Sequence, residues 1–119
     1  MGGNLLLIDD EPEMSDLVGH WVEQLGAEVV RVAGFEDALA SAGRSHPSVV
    51  LLDISLGAED GLEMLPRLMA TPELSQVPIV VFSVHNSKRR EALDLGAAAF
   101  VGKPFEGGDL LATLRPFLT

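Results

Sequence analysis

The run Ser48-Val49-Val50-Leu51-Leu52-Asp53 constrains this chain more than any other stretch. Four consecutive apolar residues, two of them β-branched and bounded by turn-forming residues, read as a strand buried on both faces. A strand of that kind belongs in the middle of a parallel sheet covered by helices on either side. It delivers one carboxylate, Asp53, to its C-terminal end, and in open α/β sheets chemistry gathers in the crevice beyond the carboxyl ends of the strands. Asp53 is therefore a site candidate, the plainer alternative being a cap for the turn that follows.

The same pattern recurs along the chain. Asn4–Ile8 is an apolar run that ends in Asp9-Asp10-Glu11, and Pro12 suits the first turn of a helix. Met14, Leu17, Val18, Trp21, Val22 and Leu25 then recur at helical spacing up to Gly26. Glu28–Val32 reads as a second strand. Phe35, Ala38, Leu39 and Ala42 mark a smaller helix expected to end near Gly43 and Pro47. After the third strand and Asp60-Gly61, a helix carries Leu62, Leu65 and Met69, with Pro66 acceptable only within about its first turn. Val77–Phe82 is a fourth strand ending at Ser83, followed by a helix over Lys88–Leu95 that stops at Gly96. Ala98–Val101 is a fifth strand, Gly102-Lys103-Pro104-Phe105 a turn, and the last helix carries Leu110, Leu111, Leu114, Phe117 and Leu118. Five strand-then-helix repeats predict an α/β fold: a five-stranded parallel sheet with about five helices on its two faces and right-handed crossovers.

A length of 119 residues with 47% hydrophobic side chains fits one domain spanning 1–119 with a sizeable core. Eighteen acidic against eight basic residues, a net charge of −10, disfavour direct binding to nucleic acid or to an anionic membrane. Cysteine is absent, and His20, His46 and His85 have no zinc-site spacing. The first apolar run is only four residues long, too short for a signal peptide or a span, so a soluble cytoplasmic chain is expected.

Strands one, three, four and five thus each end in a polar residue at the same rim: Asp9-Asp10, Asp53, Ser83 and Lys103. With this set the chain resembles, over essentially its whole length, the receiver domain of two-component response regulators. The resemblance implies a flavodoxin-like, doubly wound sheet of strand order 2-1-3-4-5. It implies that Asp53 accepts a phosphoryl group, and that Mg²⁺ is bound directly by Asp10 and Asp53, through water by Asp9, and by the Ser55 backbone carbonyl. Lys103 supplies a fixed counter-charge, the Ser83 hydroxyl donates to a phosphoryl oxygen, and Phe100 turns inward as Ser83 moves. The implied partners are a sensor histidine kinase or histidine phosphotransfer protein upstream and an output domain or downstream protein, with a homodimer left open. The chain would then be a switch and not a turnover enzyme. Physics agrees: three carboxylates within about 5 Å would repel by several kcal/mol per close pair at an effective dielectric near 20, which calls for a hard divalent cation with oxygen ligands.

Some positions depart from the family habit. Gly57 stands where many receivers carry Pro, Val84 replaces a small residue after the hydroxyl, and Ser83 to Lys103 is about two residues short. His85, two residues past Ser83, is where receivers tune attack of water on the acyl phosphate, unless it is a plain loop histidine. Lys88-Arg89-Arg90 is the one basic cluster, read as a partner surface or a solvated face. Two rival functions remain. One is a receiver-like module that binds partners regardless of phosphorylation. The other is a small Mg²⁺-dependent phosphatase or flavodoxin-like enzyme, against which stand the spacing of Asp9-Asp10-Glu11-Pro12 and the repulsion of phosphate by that acidic loop.

Overall fold

The structure, a computed structural model, describes residues 3–54, 61–83, 86–102 and 107–118. Five strands, β1 (Asn4–Ile8), β2 (Glu28–Val32), β3 (Val49–Asp53), β4 (Ile79–Ser83) and β5 (Ala99–Gly102), form one sheet in the order 2-1-3-4-5. Every pairing is parallel, as the near-continuous apolar runs demand. The five helices are α1 (Pro12–Glu23), α2 (Phe35–Ser45), α3 (Gly61–Met69), α4 (Arg89–Asp94) and α5 (Gly107–Leu114).

Strand side chains alternate between two core layers, because successive residues of a strand face opposite ways. Leu6, Ile8, Val50, Leu52, Val81 and Phe100 pack with α2, α3 and α4. Leu5, Leu7, Val49, Leu51, Phe82 and Val101 pack with α1 and α5. β3 and β4 are buried at every position, which places them centrally, whereas edge strand β2 has no fully buried residue. Trp21, expected on the apolar stripe of the first helix, is half-buried against the second layer.

Several boundaries correct the sequence expectations. α2 runs through Gly43 to Ser45, since an exposed glycine only weakens a helix by about 1 kcal/mol. It stops where His46 takes a left-handed conformation (φ 47°) ahead of Pro47, which cannot continue the ladder. Pro66 lies inside α3 and not in its first turn. Its ring faces solvent, and it has no N–H to give to the helix. β4 starts two residues later than expected because Pro78 brings no donor, although its carbonyl accepts the Val50 N–H at 3.0 Å. A 3₁₀ turn over Asn86–Lys88 precedes α4, and β5 is shifted by one residue. The final helix changes to 3₁₀ over Arg115–Phe117, where Pro116 removes a donor, while Leu110, Leu114 and Leu118 stay buried at i, i+4 spacing. Among the described residues no helix is long and apolar enough to cross a membrane.

Candidate functional site

The site is built by register. Leu7 pairs with Leu51 and Ile8 with Leu52, so Asp9 and Asp53 are the next positions out on adjacent strands, with a strand separation of about 4.8 Å. Both follow the parity of Leu7 and Leu51 and so emerge on the side of α1 and α5. Asp9 is 5% exposed and Asp53 3%, which is unusual for acidic side chains and marks them as more than turn caps. The Glu11 N–H donates to Asp9 Oδ1 at 2.9 Å, an Asx turn that holds this carboxylate while its Oδ2 stays shielded from solvent. Asp10, by contrast, is exposed.

On the other side, Asp53 pairs with Phe82, and the Ile54 N–H donates to the Phe82 carbonyl at 3.2 Å, so Ser83 stands one step beyond Asp53 on the neighbouring strand. Ser83 is fully buried. Val81 pairs with Phe100, which puts Ser83 and the Phe100 ring on the same sheet face, that of α3 and α4. Phe100 is 6% exposed and already inward. Ser55, Gly57, Val84, His85 and Lys103 lie outside the described residues.

Among the described residues, Asp9, Asp10 and Asp53 do not close into a three-carboxylate cluster of metal-ligating geometry. Asp9 and Asp53 are buried at the sheet rim, and Asp10 is exposed in the turn that follows. The donor set nonetheless fits Mg²⁺, a hard cation that takes oxygen ligands, uses one or two carboxylates and keeps several waters.

Sequence reasoning missed three features around this rim. Arg31 on β2 pairs with Asp16 on α1 across an open depression of about 270 Å³ that Asp9, Asp10 and Ser15 also line. The Arg31 guanidinium lies over Gly19, where a methyl group would overlap it. Gly61 opens α3 directly against the Ile54 backbone, an approach that a Cβ would block. The isolated glycines inside or at the start of helices were the only local signals of these contacts.

With this geometry the chain belongs to the response regulator receiver domain family, whose model matches residues 5–115. It is the receiver module of two-component signalling, a switch domain. It is 34% identical over 118 residues to the uncharacterized transcriptional regulatory protein YkoG of Bacillus subtilis, covering 98% of this chain and 51% of that protein. It is 32% identical over 114 residues to the KDP operon regulator KdpE of Escherichia coli, covering 94% and 49%. The chain therefore spans about half the length of these curated relatives. Among solved structures it resembles the receiver domain of the sensor histidine kinase PA1611 of Pseudomonas aeruginosa, which has a magnesium ion in its active-site cleft. That match has a TM-score of 0.84 and 26% identity, and covers 98% of each chain. The BeF3-activated receiver domain of Klebsiella pneumoniae RstA matches with a TM-score of 0.85 and 27% identity over 96% of this chain and 97% of that one.

Proposed function

We propose that residues 1–119 form a single receiver domain in which Asp53 accepts a phosphoryl group from a phosphorylated histidine of a sensor kinase or phosphotransfer protein. The observation that carries this reading is Asp53 itself, a carboxylate 3% exposed at the C-terminal end of a strand buried at every position, with Asp9 beside it and Ser83 one step across. An Asp53 carboxylate oxygen attacks phosphorus, the phosphorus–nitrogen bond breaks, and the imidazole leaves. Mg²⁺, held by Asp10, Asp53 and the Ser55 carbonyl with Asp9 acting through water, would neutralise charge on the phosphoryl oxygens. Lys103 supplies the fixed cation and Ser83 a hydroxyl donor to the phosphoryl group. Phe100 shares a sheet face with Ser83 and follows its movement, passing the change to a partner or to an output domain in a cytoplasmic regulator. That output is a transcriptional one in relatives about twice this chain's length.

Incubation with acetyl phosphate and Mg²⁺ tests the reading by intact mass. The wild-type chain gains one phosphoryl group and Asp53→Asn gains none. Equal labelling of both, or of neither, contradicts it, and the second result favours a module that binds its partners without phosphorylation.

A further inference from the structure

Two guanidinium groups lie over phenyl rings: Arg67 at 3.9 Å from the Phe35 centroid and Arg89 at 5.0 Å from that of Phe100. Both rings are buried in the same core layer, and both arginines are exposed. The rings differ in what they are connected to. Phe35 begins α2, whereas Phe100 lies on β5 in register with Val81, two residues before Ser83 on one face.

We propose that Arg89 is a positioning residue, a lid whose guanidinium covers the Phe100 ring and holds it inward, joining the start of α4 to the Ser83 side of the site. This rests on the reading of Asp53 as phosphoacceptor. A cation over a ring face is attracted by the ring quadrupole, and a planar guanidinium stacks there better than an ammonium. The other charges of the cluster are placed differently: Arg90 reaches forward to Asp94 one turn along α4 at 3.6 Å, and Lys88 closes the preceding 3₁₀ turn. Turning outward, the Phe100 ring would leave the core and displace Arg89 together, so the lid weights the inward state before any phosphoryl group arrives. Removing it lowers the inward fraction, and affinity for a phosphoryl mimic falls with that fraction.

Phe-labelled NMR together with titration of beryllofluoride in the presence of Mg²⁺ tests this on the whole chain. Arg89→Gln should shift or broaden the Phe100 ring signals without ligand and weaken beryllofluoride uptake by up to about threefold. Arg89→Lys should fall between. Arg67→Gln, which removes the matching lid from Phe35, should leave the Phe100 signals and uptake unchanged. Phe100 signals indifferent to Arg89→Gln, or moved equally by Arg67→Gln, overturn the proposal. Absence of uptake by the wild-type chain instead sinks the Asp53 reading, and the lid is then judged by the ring signals alone.

Discussion

Among the described residues, each edge of the sheet carries an arginine contact, made in opposite ways. At the β2 edge the strand supplies the cation: Arg31 reaches Asp16 on α1 over the bare backbone of Gly19. At the β5 edge the helix supplies it, and Arg89 covers a ring that the strand buries. β2 buries none of its residues fully, whereas β5 buries Phe100 and Val101. The β2 edge is thus held by its backbone ladder, by the partial packing of Val29, Val30 and Val32, and by a polar tether beside the acidic loop. The β5 edge, which leads into Lys103, is held by apolar packing, the kind of contact that can exist in two discrete arrangements.

If that contrast is right, truncating the β5 edge should cost far more than truncating β2. Phe100→Ala should lose about 3 kcal/mol of unfolding free energy, against about 1 kcal/mol for Val30→Ala on half-buried β2, measured by denaturant unfolding. Equal losses would remove the distinction. A smaller effect separates tether from packing at the β2 edge. Gly19→Ala gains helix propensity but unseats Arg31, so it should be near neutral alone and stabilise by about 1 kcal/mol in an Arg31→Ala background. Simple additivity would show that Arg31 does not rest on Gly19. The smallest expected change is at Arg90, whose pairing with Asp94 joins side chains 90% and 69% exposed; Arg90→Gln should move stability by less than about 0.5 kcal/mol.

The same contrast explains what could be read in advance. The order of elements and the rim positions of Asp9, Asp53 and Ser83 were legible because they are written locally, as apolar runs ending in a polar residue. The end of α2 was not, because Gly43 can be absorbed into a helix and the effective stop is His46 ahead of Pro47. Nor was the place of Pro66, which solvent exposure makes tolerable inside α3. Both arginine contacts join residues more than ten positions apart, Asp16 with Arg31 and Arg89 with Phe100, and no periodicity encodes such pairs. The difference in burial between the neighbours Asp9 and Asp10 was hidden for the same reason: one stays at the buried rim and the other stands in the exposed turn.

The account depends most on Asp53 being the residue that carries the added group. A crystal structure of the chain grown with Mg²⁺ and beryllofluoride tests this directly. The prediction is beryllium bonded to the Asp53 carboxylate, Mg²⁺ alongside with Asp10 among its ligands, and the Ser83 hydroxyl within hydrogen-bond reach of a fluoride. Beryllium on another side chain, or a rim that takes up neither ion at millimolar concentration, would contradict it.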